Sequence, residues 1–112
     1  MAKRFRILGT IEERETGRPL SRLIVRAFDK DLLQNDKLGF ATTDEDGRFE
    51  IRFGEAVFRD ILEKRPDIFL EVYDPSGERL LHDTSDAVRR NATDHEEFRI
   101  AISGSELVPS RP

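Results

Sequence analysis

Residues 41–53, ATTDEDGRFEIRF, show most clearly how this chain folds. The Asp46-Gly47 pair favours the positive φ angles that a tight hairpin turn needs. After the turn, Phe49, Ile51 and Phe53 alternate with charged residues, so one face of an extended chain is apolar and the other is solvated. The stretch therefore predicts two β-strands joined as a hairpin.

The same alternation recurs along most of the chain. It predicts further strands near residues 5–11, 23–27, 67–74, 79–84 and 98–102. In GEAVFRDILEKRP, residues 54–66, the apolar spacing becomes helical, and Pro66 should end the helix. Seven strands and one short helix predict an all-β, antiparallel Ig-like or transthyretin-like β-sandwich over residues 1–102. Residues 103–112, rich in Ser and Pro, are predicted to form a flexible tail.

Charged residues on the first and last strands suggest where the sheets end. The first strand carries Arg4 and Arg6, and the last carries Glu96, Glu97 and Arg99. Edge strands have unpaired backbone groups, and soluble proteins often protect them with charge. Both strands are therefore predicted to be protected edges.

Composition limits the possible classes of function. The 112 residues suffice for one domain, and the net charge of −4 arises from interspersed acids and bases. This pattern argues against nucleic acid as a partner. The chain contains no cysteine, which excludes disulfides and thiolate metal ligands. No apolar run approaches the roughly 20 residues of a membrane span, and MAKRFRILGT does not resemble a signal peptide. We expect no membrane insertion, and either a cytoplasmic protein or one exported as part of a larger assembly.

The order of motifs resembles the transthyretin-like, or carboxypeptidase regulatory-like, domain family. The family pattern G-x-(V/I), G-x-P-(L/V) and T-x-x-x-G-x-F is matched by Gly9, Ile11, Gly17, Pro19, Leu20, Thr43, Gly47 and Phe49. The resemblance covers roughly Phe5 to Ile102. It implies a β-sandwich that acts as a folding partner, binding module or spacer in larger machines, including contractile injection systems.

This chain lacks the catalytic residues of two enzyme families whose β-sandwiches are related. Hydroxyisourate hydrolases use a set of histidine and arginine residues and end in Tyr-Arg-Gly-Ser, whereas this chain ends in SELVPSRP. Intradiol dioxygenases bind iron with two tyrosines and two histidines, but this chain has Tyr73 alone. His82 and His95 could bind a metal with Asp83 or Asp94, although their spacing matches no metal motif. We therefore predict no catalytic residues and no enzyme activity.

The acidic loop FDKDLLQNDKLG, residues 28–39, is a candidate calcium site. Asp29, Asp31 and Asp36 offer three carboxylates within eight residues, and calcium prefers oxygen ligands from loops. The stretch resembles the first calcium loop of the lipid-binding domain of protein kinase C, although Asp74 alone stands where a second loop would need a pair. The alternative is that these aspartates cap turns and keep the loop solvated.

The polar loop from Ser85 to Asp94 is a candidate partner-binding surface. It is the longest predicted connection without regular structure, and Val88 lies in it beside Arg89 and Arg90. An apolar residue within a ring of charge suits an anchored contact with a protein. The alternative is that Val88 closes the end of the core while the arginines pair with neighbouring acids.

Taken with the resemblance, these features predict a non-catalytic binding, adaptor or structural module of a bacterial protein assembly, such as a secretion or contractile-injection machine. Two alternatives stay open: a calcium-dependent binding domain and a hydroxyisourate-hydrolase-like enzyme.

Overall fold

A computed structural model describes residues 4–30, 35–54 and 65–108. These residues form seven strands and one short helix. The strands are β1 (Arg4–Glu13), β2 (Ile24–Asp29), β3 (Asp36–Thr42), β4 (Arg48–Gly54), β5 (Ile68–Tyr73), β6 (Leu80–Asp83) and β7 (His95–Ile102). The helix is α1 (Gly104–Leu107), and a 3₁₀ turn spans Ser85–Ala87.

The strands form two packed sheets, which confirms the predicted all-β sandwich. One sheet has the order β4-β1-β7 and the other β3-β2-β5-β6. All neighbouring strands are antiparallel except β1 and β7, which are parallel. Residues 84–94 carry the chain from β6 to the end of the sandwich where β1 begins, and the Arg6 amide donates to the Asp94 carbonyl at 2.9 Å. The sandwich is therefore mixed rather than purely antiparallel.

The edge prediction is right for β7 and wrong for β1. β7 borders the three-stranded sheet, whereas β1 lies between β4 and β7 and pairs with both. Arg6 faces solvent because of strand alternation, and its guanidinium donates to Glu50 on β4 at 2.7 Å. The charged residues of β1 thus indicate a solvated face of the sheet and not an open edge.

The core lies between the two sheets and follows the predicted alternation. From the three-stranded sheet, Phe5 and Phe53 stack with ring centroids 5.2 Å apart. Burial of each large apolar side chain contributes roughly 1.5–3 kcal/mol. The fully buried members of the core are Ile7, Ile11, Ile51, Ile68, Leu70, Ile102, Val25 and Val72.

The turn at residues 44–47 is tight, as predicted, but it does not join a hairpin. Gly47 has φ 73°, and the amides of Asp46 and Arg48 both donate to the Asp44 side chain at 2.9 Å. However, β3 pairs with β2 in one sheet and β4 pairs with β1 in the other. The predicted hairpin pairing is therefore wrong: the turn is a bridge between the two sheets.

Two glycines permit the close packing beside this bridge. A Cβ at Gly47 would collide with the carbonyl oxygen of Ile11, which accepts the amide of Leu20 at 3.0 Å. A Cβ at Gly9 would collide with the ring of Phe49, its register partner on β4. The Ile11 carbonyl and the Phe49 ring thus occupy the space that a side chain at these two glycines would need.

Thr43 supplies the polar contacts of the same bridge. It is 3% exposed, and its hydroxyl donates to the Leu20 carbonyl at 2.7 Å while accepting the Leu23 amide at 3.0 Å. Its own amide donates to the Leu23 carbonyl at 2.9 Å. One side chain thus satisfies two buried backbone groups of the segment that leads into β2.

Part of the predicted tail is packed. The Gly104 amide and the Ser103 hydroxyl donate to the carboxylate of Glu15 at 2.7 and 2.8 Å. The Arg79 guanidinium donates to the carbonyls of Glu106 and Leu107 at 2.9 and 3.0 Å. Residues 103–107 therefore contact the sandwich, and the flexible tail over residues 103–112 stays a prediction. Most of the helix predicted for residues 54–66 lies outside the described residues.

Replacing the Thr43 hydroxyl with a methyl group is expected to destabilise the fold. Thr43→Val keeps the shape but leaves the Leu20 carbonyl and the Leu23 amide without this partner, a loss of about 1–3 kcal/mol in the free energy of unfolding. Urea denaturation measures the change. Thr43→Ser keeps the hydroxyl and serves as the control. Equal stability of wild type and Thr43→Val would contradict the role assigned to this hydroxyl.

Candidate functional site

The two outer faces of the sandwich differ in chemistry. Alternation turns one set of side chains in each sheet away from the core. On the three-stranded sheet this set is mostly ionic: Arg6, Leu8, Thr10, Glu12, Arg48, Glu50, Arg52, His95, Glu97 and Arg99. On the four-stranded sheet it is richer in apolar and aromatic residues, with charged residues among them: Ile24, Arg26, Phe28, Lys37, Phe40, Thr42, Phe69, Glu71, Tyr73, Leu80 and Asp83.

Aromatic rings dominate the outer face of the four-stranded sheet, which we call the aromatic face. Phe28 and Phe69 are register partners on β2 and β5, and their rings stack with centroids 5.2 Å apart. Phe69 is 4% exposed although it points away from the core between the sheets. Phe40, on the neighbouring strand β3, is 73% exposed. Phe40 therefore leaves an apolar ring exposed on the strand next to the stacked pair.

Tyr73 is held in place on the aromatic face. The Arg26 guanidinium lies 4.2 Å from the centre of its ring, and its hydroxyl donates to Glu71 at 2.6 Å. The hydrogen bond to Glu71 raises the pKa of Tyr73, and burial adds to the rise. The phenol is therefore neutral at physiological pH and acts here as a hydrogen-bond donor, not as an anionic ligand.

The structure brings together two of the three aspartates of the candidate calcium site. Asp29 and Asp36 are register partners at the ends of β2 and β3. Asp29 is 1% exposed, and its carboxylate accepts the Asp67 amide at 2.8 Å. Asp31 lies outside the described residues, and the described part of the chain holds no cluster of three potential metal ligands. The calcium site stays a prediction, and Asp29 has a structural role in any case.

The candidate partner loop is more ordered than its sequence suggested. It begins with the 3₁₀ turn, and the backbone of Arg89 then exchanges two hydrogen bonds with Ile68 at 2.9 Å each. The Arg89 guanidinium donates to Glu96 at 3.0 Å and lies 3.7 Å from the centre of the Phe98 ring. Arg90 contacts Asp67 at 3.3 Å, and Val88 is half-buried. A partner site at these three residues stays a prediction.

The histidines do not assemble a metal site with Tyr73. His82 lies on β6 of the four-stranded sheet, whereas His95 lies on β7 of the three-stranded sheet. The hydroxyl of Tyr73 is engaged by Glu71. The paired tyrosines and histidines that hold iron in intradiol dioxygenases thus have no counterpart here, and the available donors do not fit that metal.

The aromatic face was missed at the sequence level, although a signal for it exists. In IFLEVY, residues 68–73, the residues on both faces of the strand are largely apolar. Ile68, Leu70 and Val72 account for the core, so Phe69 and Tyr73 must belong to the opposite face. The exposure of Phe40 had no such signal, because it depends on which neighbours cover the strand.

Comparison with known proteins relates this fold to oxygenases. No family model matches the chain, and no curated protein matches it. A 9R-lipoxygenase from Cyanothece PCC8801 matches 88% of this chain with a TM-score of 0.68 and 22% identity. The dioxygenase domain of a dioxygenase carbohydrate-binding protein fusion from Streptomyces sp. SirexAA-E matches 92% with a TM-score of 0.52 and 15% identity. Chlorocatechol 1,2-dioxygenase from Pseudomonas putida matches 91%, also with a TM-score of 0.52, and 12% identity.

The extent of these matches differs between the proteins. The chain spans 16% of the lipoxygenase, 81% of the Streptomyces dioxygenase domain and 61% of the chlorocatechol dioxygenase. Identities this low establish a common fold alone. The β-sandwich is therefore a fold that this chain shares with parts of oxygenases.

The predicted function is corrected by this finding. We expected an adaptor or structural module of a bacterial secretion or injection machine, yet solved structures that share the fold include a lipoxygenase and two dioxygenases. None of the three is described as a calcium-dependent binding domain or a hydroxyisourate hydrolase. The error arose because strand order and turn motifs describe a scaffold that many functions share.

Among the residues that the structure describes, no helix is long and apolar enough to cross a membrane.

Removing the Arg89 side chain is expected to destabilise the protein more than removing that of Arg90. Arg89→Ala uncovers the Phe98 ring and leaves Glu96, whose side chain is 14% exposed, without its cation. Arg90 is a matched control, because its 67% exposed side chain makes only a surface ion pair. Urea denaturation of both variants at pH 7 measures the difference. Equal losses would contradict a structural role specific to Arg89.

The same pair predicts a pH dependence. Burial raises the pKa of Glu96, but the Thr93 amide and the Arg89 guanidinium outweigh burial and lower it. A carboxyl whose pKa is lowered by folding stabilises the fold above its unfolded pKa of about 4.3, and this contribution disappears as pH falls through the lower folded value. The stability difference between wild type and Arg89→Ala should therefore narrow from pH 7 to pH 3.

Proposed function

We propose that this chain is a β-sandwich domain of an oxygenase-type enzyme. The observation that carries the proposal is the match to the lipoxygenase, which covers 88% of this chain but 16% of that protein. Its TM-score of 0.68 exceeds the 0.52 of both dioxygenase matches. This combination supports a discrete domain that accompanies a larger catalytic part.

In this proposal the dioxygen chemistry resides in a part of the enzyme outside this chain. The donors that would hold iron here are a single tyrosine engaged by Glu71 and two histidines on different sheets. Within the described ranges, no three histidine or carboxylate groups converge on a common point. On this proposal we expect the isolated chain not to consume dioxygen by itself.

The aromatic face is the surface on which the catalytic part would dock. The exposed rim consists of Phe40 on β3 and Leu80 on β6, which are 73% and 45% exposed. Between them lie Arg26 and Tyr73, already fixed by their mutual contact. Side chains that are ordered before binding lose little conformational entropy on docking, and large apolar groups with an arginine are typical interface anchors.

The transthyretin-like relationship also stays a proposal. Support comes from the position of its motif residues: Thr43 and Gly47 make contacts at the bridge between the sheets, and Gly9 packs against the Phe49 ring beside it. We expect a motif whose residues have a structural role to recur in proteins that share the fold. It carries no information about activity.

The isolated chain is expected to bind substoichiometric iron and to consume no dioxygen. Elemental analysis after reconstitution with ferrous iron, and an oxygen electrode with a chlorocatechol or an unsaturated fatty acid, provide the measurements. Stoichiometric iron together with oxygen uptake that disappears in Tyr73→Phe or His82→Ala would contradict the proposal. The chain would then be an oxygenase in its own right.

Capture experiments test the docking face. The tagged chain is expected to recover an oxygenase from extracts of its source cells, and Phe40→Glu should reduce the recovery because it places a charge in an apolar contact. Val108→Glu is the control, since Val108 is another exposed apolar residue, at 66%, and follows α1 instead of lying on a strand of the four-stranded sheet. Identification by mass spectrometry and oxygen uptake by the captured fraction provide the readouts. Recovery of no oxygenase, or equal loss in both variants, would contradict the proposal.

A further inference from the structure

A shallow depression of about 400 Å³ lies on the outer face of the three-stranded sheet, opposite to the aromatic face. Its floor is the row in which Gly9 on β1 is paired with Phe49 and Phe98. One wall carries Leu8 and Glu97. The other wall is the next row, which consists of Thr10 flanked by two arginines.

The row at Thr10 places two guanidinium groups on either side of a hydroxyl. Thr10 is the register partner of Arg48 on β4 and of Arg99 on β7. Neighbouring strands lie about 4.8 Å apart, so the two arginine backbones are separated by roughly 10 Å. All three side chains point outward from the same face. Two long cationic side chains at this spacing can converge on one small group above Thr10.

The donors of this row are largely unused within the protein. In the described ranges, the Arg48 guanidinium and the Thr10 hydroxyl have no hydrogen-bond or ion-pair partner. The Arg99 side chain is 86% exposed, and its one ion pair with a described residue is a loose one to Glu12 at 3.8 Å. By contrast, Arg6 and Arg52 on the same face both bind Glu50, at 2.7 and 2.6 Å. At one end of the face two arginines thus share the Glu50 carboxylate, whereas at the other end, among the described residues, the Arg48 and Arg99 guanidinium groups have no carboxylate within hydrogen-bond distance.

The surrounding acids limit what the available arginines can bind. Glu97 stands on the opposite wall and contacts His95 at 3.6 Å. Beyond the arginine row, Glu12 and Asp46 line the continuation of the depression. Acids on both sides would repel an extended polyanion, whereas a compact group with one or two negative charges would contact only the arginines.

We infer that this depression, the Arg48-Thr10-Arg99 site, binds a small oxyanion, a carboxylate or a phosphate group. Guanidinium groups bind both groups through paired hydrogen bonds, and the threonine hydroxyl adds a third donor. Leu8 offers an apolar contact for a short hydrocarbon part of the ligand. The site lies on the face opposite to the aromatic face and does not depend on the proposed oxygenase association.

Backbone amide shifts in NMR titrations test the site. The probes are sodium hexanoate and inorganic phosphate, each compared with sodium chloride at equal ionic strength. We expect saturable shifts at Thr10, Arg48 and Arg99 with at least one probe. Shifts of the Leu8 methyl groups with hexanoate alone would identify a carboxylate bearing a hydrocarbon chain as the preferred ligand, and stronger binding of phosphate would identify a phosphate group.

Matched variants distinguish a site from general charge attraction. Arg48→Ala and Arg99→Ala should each weaken binding about tenfold, the effect of losing a charge-assisted hydrogen bond. Arg52→Ala removes the same charge from the same strand and face, so it should leave binding unchanged. Thr10→Val tests the hydroxyl without altering the shape. Linear shifts with both probes, or an equal effect of Arg52→Ala and Arg48→Ala, would overturn the proposal; unchanged spectra outside the row confirm that each variant is folded.

Discussion

The buried hydroxyl of Thr43 is the contact on which the arrangement of the two sheets depends. It joins the segment that leaves β1 to the end of β3 by bonding the Leu20 carbonyl and the Leu23 amide. Just beyond it, Gly47 packs against the Ile11 carbonyl with no room for a side chain. Because buried backbone groups must be satisfied, this bridge determines where the chain leaves one sheet and enters the other. The apolar core fills the space between the two sheets that this bridge connects.

The division into an aromatic face and an ionic face follows from this arrangement. Each strand buries one parity of its residues, so the opposite parity is collected on an outer face. In β2 and β5 that parity contains Phe28, Phe69 and Tyr73, whereas in β4 and β7 it contains mostly arginine and glutamate. The two faces are therefore suited to different contacts. One can associate with an apolar surface, and the other can bind a small charged group.

The similarity to oxygenases shows that proteins can share a fold although their candidate metal ligands differ. The fold is common to this chain and to parts of a lipoxygenase and two dioxygenases. Yet the candidate iron donors here lie on different sheets or are occupied, as His82, His95 and Tyr73 illustrate. A sandwich core requires only alternating apolar residues and well-placed turns, so it imposes no particular side chain at a catalytic position.

The amino-acid sequence alone determined the strands, because a period of two is a local property that can be read from any short stretch such as RFEIRF. It also identified the tight turn at Gly47 and the absence of a paired-tyrosine iron site. Only the tertiary structure decided which strands are neighbours: β3 and β4 flank one turn but belong to different sheets, and β1 lies at the centre of its sheet rather than at an edge. Alternation assigns a residue to a face but does not say which residues from other strands will lie beside it. The Arg48-Thr10-Arg99 site is therefore invisible in the sequence, since its residues are 38 and 51 positions apart along the chain and meet only through strand register.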